Sequence, residues 1–362
     1  MSTSTLKVGI IGTGFGASVH APLFQAHPQF EAVAITSVSG RNTEQVRQAT
    51  GITNIYSDWK TMLISEPLDL VSVTSAQYQH KEMVCEAFSH GYHVLCEKPM
   101  ALNLNEAEDM IAARDHANRF GAINFEFRYL PARSKVKEII KSGQLGRIIH
   151  IRYQGNALNY LSHHSGHKSW KEDKSLGGGT LNSIGSHMID SIQWWLQEPI
   201  TSVSGQTPIH FPELEDLSGK KHTRTSDDSF QLVGASQSGS TFELSFLIRG
   251  RHCKHNWSLE IYGTEGTLFM TDDNQIHLGI ESRPLTLVDL KASLQMPASL
   301  PASAAFFYTP FTFMLDELAD VLLHKDRTPK TLATFEEGYQ VQRILDASRQ
   351  SADQGTRVSI LP

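Results

Sequence analysis

Val8-Gly9-Ile10-Ile11-Gly12-Thr13-Gly14-Phe15-Gly16-Ala17 decides the fold of the first third of this 362-residue chain. An apolar run passes directly into closely spaced glycines, and a helical pattern follows. A strand that turns through glycine into a helix is the opening of a dinucleotide-binding βαβ unit. Gly12 allows the tight turn, and Gly14 lets the backbone approach a pyrophosphate. Ala17 takes the third, small position, where helix and strand pack. The N–H groups of a helix starting near Gly16 would face the phosphates, with the positive end of the helix dipole behind them. Thr13 and Phe15 lie inside the turn and join Gly12, Gly14 and Gly16 as candidate cofactor contacts.

Downstream, short β-rich runs alternate with helical patterns. Strands are predicted over 7–11, 32–38, 70–74, 93–96 and 122–127, and helices over 18–27, 43–50, 59–64, 80–90 and 106–119. Asn105, with Glu108 three residues on, reads as the N-cap of the last helix. This rhythm predicts an α/β domain over 1–126, a doubly wound parallel sheet with ligand at the C-terminal ends of its strands. After Pro131 the rhythm changes. A helix over 132–142 and a strand over 147–154 precede a glycine-rich turn at 177–179, which leads into a helix through His187, Asp190 and Trp194. Strands over 230–235, 241–247, 258–262 and 266–271 read as an antiparallel sheet, and helices over 310–324 and 333–351 close an α+β domain spanning 127–362. Phe242, Leu244 and Phe246 alternate, so one apolar face of that sheet must be covered, by helices or by a second subunit.

A chain of this length exceeds what one core usually organises, which agrees with two domains. Its 40% hydrophobic and 19% charged residues are those of a globular protein. A net charge of −6 and the lack of a basic stripe with interleaved aromatics argue against nucleic acid. No apolar run is long enough to cross a bilayer. Cys85, Cys96 and Cys253 have no metal-ligand or CxxC spacing and read as reduced thiols. With no h-region in Met1-Ser2-Thr3-Ser4-Thr5-Leu6-Lys7, a cytoplasmic location is expected. His163, His164 and His167 lack a nearby carboxylate or cysteine cluster, so no metal is assigned.

The end of the second strand bears on cofactor choice. Sites that prefer NAD place Asp or Glu there, on the ribose 2′-hydroxyl. This chain has Thr36-Ser37-Val38-Ser39-Gly40-Arg41-Asn42, and Ser39 and Arg41 suit a 2′-phosphate. NADP(H) is therefore expected ahead of NAD(H).

Further motifs join the first: Val73-Thr74-Ser75-Ala76-Gln77-Tyr78-Gln79-His80 and Leu95-Cys96-Glu97-Lys98-Pro99 at strand ends, then Asn124-Phe125-Glu126-Phe127-Arg128-Tyr129, and Gly177-Gly178-Gly179 running on to Ser183, His187 and Asp190. In this order the set resembles the Gfo/Idh/MocA oxidoreductase family, over nearly the whole chain. The resemblance implies a Rossmann domain, a second domain with a mostly antiparallel open sheet flanked by helices, and a homo-oligomer built through that sheet. It also implies NAD(P)-linked hydride transfer at a hydroxyl or carbonyl of a sugar, cyclitol or related polyol. Lys98 matches the family's active-site lysine, and His187 the histidine that faces the substrate. The family usually has Asp where this chain has Ser183, and Pro-Asn where it has Ala76-Gln77. Thr74, Ser75, His80 and Glu97 fall on the cofactor side, and Arg128 and Ser183 on the substrate side.

Moving a hydride from an alcohol requires a base for the hydroxyl proton, while the cofactor performs the redox step. Lys98 donates to the reacting oxygen as an ammonium and accepts the proton as an amine. His187 does either at neutral pH. Ser183 can hydrogen-bond but cannot serve as a carboxylate base. That substitution keeps a second class open, a non-catalytic regulator that senses dinucleotide. A third class is glycoside cleavage assisted by a recycled NAD.

Overall fold

In a computed structural model of the protein, residues 5–37, 43–157, 169–215, 218–248, 253–324 and 327–360 are described. They form two compact units, Met1–Tyr129 with Ser293–Tyr339, and Leu130–Ala292 with Gln340–Pro362. The stretch 293–339 thus belongs to the first unit although it follows the second unit's sheet in sequence.

The first unit is built from β1 (Leu6–Ile11), α1 (Ala21–Ala26), β2 (Phe30–Thr36), α2 (Thr43–Thr50), β3 (Asn54–Tyr56), α3 (Trp59–Ser65), β4 (Leu70–Val73), α4 (His80–Ser89), β5 (His93–Cys96), α5 (Leu104–Ala117) and β6 (Gly121–Ile123). All six strands run parallel in the order β3-β2-β1-β4-β5-β6; the alternation predicts five of them, and β3 falls where no strand is predicted. Helices on both faces demand strands apolar on both sides, and Val8, Ile10, Leu70, Val71, Val94 and Leu95 are completely buried. The strand order reverses between β1 and β4, which makes their C-terminal ends the crevice where such sheets bind ligands. Two details differ from expectation. The N-cap of α5 is Asn103, whose side chain accepts from Glu106 N at 3.1 Å, while Glu106 accepts from Leu102 N at 2.9 Å. Asn103 and Asn105 each have an acid three residues on, so the local pattern was ambiguous by one repeat. The strand expected over 122–127 stops at Ile123, and Glu126–Tyr129 is a 3₁₀ turn.

The second unit contributes α6 (Pro131–Lys141), β7 (Ile148–Ala157), α7 (Ser186–Leu196), β8 (Ile200–Gln206), β9 (Glu213–Glu215), β10 (Lys221–Thr223), β11 (Ser229–Ser236), β12 (Thr241–Ile248), β13 (Trp257–Gly263), β14 (Gly266–Thr271), β15 (Gln275–Ile280) and β16 (Thr286–Val288). The chain closes with α8 (Ala305–Leu323), α9 (Phe335–Gln354) and β17 (Val358–Ser359). The large sheet has the order β16-β15-β14-β13-β7-β12-β11-β8-β17 and is antiparallel except at β7–β12. Phe242, Leu244 and Phe246 are at most 2% exposed, so the chain itself covers that face. The opposite face is open, with Val233 53% and Leu247 42% exposed. In the first unit α8 supplies Phe311, Met314, Leu315 and Leu318 to the core around Phe24 and Phe30. It begins at Ala305, a turn before the expected start at Pro310, which lies inside the helix.

One buried ion pair ties the second unit's helices to its sheet. Arg133 on α6 is 1% exposed and meets Asp273 through Nε and Nη2, both at 2.9 Å, while Nη1 donates to Ser191 on α7 at 3.2 Å. Tyr153 and Trp257 flank the guanidinium. Arg133→Met leaves the Asp273 carboxylate buried without its cation and is expected to cost about 3–5 kcal/mol. Urea unfolding followed by tryptophan fluorescence measures it, and adding Asp273→Asn should recover part of the loss.

Candidate active site

At the end of β1 the backbone turns through Gly12, whose φ of +116° favours glycine. The Thr74 hydroxyl, at the end of β4, closes the turn by donating to Ile11 O at 2.9 Å. Gly16 is packed hardest: a Cβ there would lie 2.4 Å from Thr74 Oγ1 and 2.9 Å from Ile10 Cγ2. The close-packing position is therefore Gly16, one residue before Ala17, which keeps its methyl and is 9% exposed. Gly14 is the opposite case, exposed, with nothing within 4 Å of where a Cβ would sit. No side chain caps the helical turn Gly16–His20, whose backbone bonds begin with Ser18 N on Gly14 O at 3.2 Å. An open backbone face beside uncapped amides fits the pyrophosphate of a dinucleotide. Thr13 is buried in the turn, and Phe15 meets the rings of His20 and Phe307 edge-on.

Glu97 and Lys98 follow β5. The Lys98–Pro99 peptide is cis, and His80 braces the loop, with Nδ1 3.0 Å from Pro99 O and Nε2 3.2 Å from Ser75 O. Both ring nitrogens of His80 thus face carbonyls, and burial lowers its pKa against the opposing effect of those bonds. Gln77 donates to Ala101 O at 2.6 Å and braces the same loop. Lys98 is half-buried, whereas the Glu97 carboxylate turns inward. His20 Nε2 lies 2.9 Å from Glu97 Oε1, Asn124 Nδ2 donates to the same oxygen, and His20 Nδ1 lies 2.8 Å from Ser72 Oγ. Burial alone would raise the Glu97 pKa. The pairing with His20, the Lys98 charge and the Asn124 bond outweigh it and hold the carboxyl below its ordinary value.

In the second unit the glycine run positions α7. Gly177 has φ +83° and Gly179 φ +114°. A Cβ on Gly178 would meet Lys171 O at 2.4 Å, and one on Gly179 would meet Asp227 Oδ1 at 2.2 Å. That approach lets Asp227 Oδ2 accept from Thr180 Oγ1 at 2.6 Å and from Leu181 N at 2.8 Å, capping the turn Leu181–Gly185 that enters α7. Asn182 donates to Gly177 O at 3.0 Å and accepts from Arg349 at 2.6 Å. The Ser183 hydroxyl donates to Gly179 O at 2.9 Å. His187 is 4% exposed and Asp190 2%, on the same helix.

The first unit thus holds Gly12, Thr13, Gly14, Phe15, Gly16, Thr74, Ser75, His80, Glu97 and Lys98 around the ends of β1, β4 and β5, and the second holds Ser183 on the turn Leu181–Gly185 and His187 on α7. Arg128 is 3% exposed, with Nη1 on Thr331 O at 3.0 Å and on Glu337 at 2.7 Å, and so braces the first unit internally. Ser39, Arg41, His163, His164 and His167 lie outside the described residues. Sequence reading missed His20, Ser72 and Asp227. A lone histidine in Val19-His20-Ala21-Pro22-Leu23-Phe24 and a lone serine in Leu70-Val71-Ser72-Val73 were the available signals. Asp227 gave none, because its partner lies 47 residues away.

The first unit is a dinucleotide-binding domain with an amine and a buried carboxylate at its ligand-binding edge, the frame of a nicotinamide-linked oxidoreductase. The chain belongs to the Gfo/Idh/MocA oxidoreductase family. The model described as "Oxidoreductase family, NAD-binding Rossmann fold" matches residues 6–125, and that of the "C-terminal alpha/beta domain" matches residues 137–360. D-glucoside 3-dehydrogenase of Escherichia coli is 26% identical over 99% of each chain. Levoglucosan dehydrogenase of Pseudarthrobacter phenanthrenivorans is 26% identical over 76% of each. A solved levoglucosan dehydrogenase, in complex with NADH and levoglucosan, superposes with a TM-score of 0.85 at 23% identity, covering 99% of this chain and all of that one. Among the described residues, no helix is long and apolar enough to cross a membrane, and no cluster of metal-ligating side chains occurs.

Gly14→Ala is expected to fold with unchanged stability yet weaken dinucleotide binding about tenfold, since its methyl enters open space on the phosphate side. Gly16→Ala should instead cost about 1–3 kcal/mol, because strand and helix would have to part. Thermal unfolding and cofactor titration separate the two. The depressed pKa of Glu97 has its own signature. Below its ordinary value of 4.5 the unfolded chain binds more protons than the folded one at this site. The stabilisation is complete above that value and is lost as pH falls through the folded one. Glu97→Gln should flatten that part of the acid-unfolding curve.

Proposed function

We propose that this protein is an NAD(P)-dependent dehydrogenase acting on a secondary hydroxyl of a sugar or related polyol, or catalysing the reverse reduction. The observation that carries the reading is Lys98, held half-buried beside a buried, ionised Glu97 at the ligand-binding end of a Rossmann sheet. The dehydrogenase relatives, which act on levoglucosan and glucosides by their names, support a carbohydrate substrate.

A bound nicotinamide would take or give the hydride. Gly12, Thr13, Gly14, Phe15 and Gly16 would hold the pyrophosphate by backbone amides, with Thr74 and Ser75 along the same edge. Lys98 Nζ would donate to the reacting oxygen or remove its proton. His187 would share that transfer, with Ser183 orienting a substrate hydroxyl. His80 and Glu97 keep the lysine loop in place, and Arg128 supports the unit's internal packing. Ser39 and Arg41, with no acid at the end of β2, support NADP(H) over NAD(H), although the solved levoglucosan dehydrogenase holds NADH. The open sheet face around Val233 and Leu247 supports a homo-oligomer, and the undisulfided cysteines support a cytoplasmic setting.

Incubation with NADP⁺ or NAD⁺ and a panel of levoglucosan, alkyl glucosides and cyclitols, read by nicotinamide absorbance, tests the assignment. Turnover is expected with at least one of them. Lys98→Met should lower kcat by about 10²–10⁴-fold with cofactor affinity retained. Wild-type turnover in that variant would sink the role given to Lys98.

A further inference from the structure

Glu97 is a buried carboxylate, and a buried carboxylate needs compensating charge or it neutralises. The titratable groups around it are His20 from the turn before α1, Lys98 from its own loop, His80 from α4 and the Cys96 thiol of β5. Two of these are turned away from the carboxylate: the His80 ring nitrogens face Pro99 O and Ser75 O, and burial raises the pKa of the Cys96 thiol. His20, 2.9 Å from Glu97 Oε1, and Lys98 are the cationic candidates.

The hydrogen-bond partners of His20 can accommodate a charged ring. It is completely buried, with Phe311 edge-on at 4.7 Å and Phe15 at 5.2 Å. Nε2 donates to Glu97 at 2.9 Å, and Nδ1 is 2.8 Å from Ser72 Oγ. A serine hydroxyl either accepts or donates. An imidazolium therefore finds an acceptor at both nitrogens, and a neutral ring is equally satisfied. Asn124 holds the carboxylate in register by donating to the same Glu97 oxygen.

We propose that His20 is a positioning residue that carries the counter-charge of Glu97, so that Lys98 can part with its proton without leaving a buried carboxylate uncompensated. The assignment rests on Lys98 as the proton-transfer group. If the carboxylate had only the lysine for a partner, each deprotonation of Lys98 would strand it. With His20 as the second cation, Glu97 still orients the lysine loop but no longer locks the ammonium.

Competitive acetylation of the intact protein with isotope-labelled acetic anhydride across a pH range, read by peptide mass spectrometry, gives the titration midpoint of Lys98. It needs neither substrate nor cofactor, and Lys98→Met identifies the signal. His20→Gln keeps a donor to Glu97 but removes the charge, and should move the midpoint up by about one pH unit. Glu97→Gln should move it down by a similar amount. A merely structural role would lower stability and leave both midpoints at the wild-type value. That result, in variants that still melt cooperatively, overturns the proposal. Should His20→Gln not fold, Ser72→Ala substitutes for it. That change removes the Nδ1–H acceptor, disfavours the imidazolium and should give a smaller upward shift, whereas an unchanged midpoint overturns the proposal. The two readings fail separately. Full turnover in Lys98→Met would refute the catalytic lysine while the His20-dependent shift persisted. Lost turnover with an unmoved midpoint would refute only His20.

Discussion

Everything in the first unit is arranged around a distance too short for a side chain. Where β1 and β4 diverge, a Cβ on Gly12 would lie 2.8 Å, and one on Gly16 2.4 Å, from the Thr74 hydroxyl. Two hydrogen atoms in place of two methyls let the first helix start directly on the end of its strand. The Thr74 hydroxyl then occupies the space they leave and bonds to Ile11 O. That approach points the helix at the switch point of the sheet, and it brings His20, one turn along, over β4 and β5, within reach of Ser72 and Glu97. The nucleotide turn and the charged network behind the lysine are thus consequences of one packing constraint.

The second unit solves a similar problem by different means. Its glycine run lets the Asp227 carboxylate sit against backbone and cap the turn into α7. Asn182 and Arg349 lock the same turn from the side of α9. His187, on the first turn of a helix fixed at so many points, sits on a backbone with little freedom left to lose. The Arg133–Asp273 pair plays the corresponding part for the sheet, holding a hairpin whose residues Asp272 and Asp273 have φ of +49° and +53°.

How legible this was in the sequence depended on range. The glycine turn, the parallel alternation and the predicted helices are local patterns, and they were readable because period and spacing encode them. The shift of the α5 cap from Asn105 to Asn103 shows how a local code fails when the same signal repeats two residues apart. The place of β7 between β12 and β13, parallel to β12, was not readable, because strand order is decided by long-range pairing that leaves no mark on either strand. Phe242, Leu244 and Phe246 announced a covered face but not what covers it. At the site, Glu97-Lys98-Pro99 stood out as a motif, whereas the partners that give Glu97 its character come from positions 20, 72 and 124 and meet only in the fold.

The departure at Ser183 then acquires a physical meaning. A carboxylate one turn before His187 would have offered a second base, or a counter-ion to keep a nearby cation protonated. Ser183 offers neither, and its hydroxyl is bonded back to Gly179 O at 2.9 Å. On the proposed reading, the proton from substrate has to be taken by an amine or an imidazole alone. An amine does this near neutral pH only if the protein weakens its hold on the proton, and an adjacent buried carboxylate strengthens that hold. A second cation on that carboxylate, His20 in its sealed pocket, resolves the conflict from within the first unit. The first unit therefore keeps a buried carboxylate where the lysine loop is positioned, and the second carries at position 183 a hydroxyl that is bonded to its own backbone.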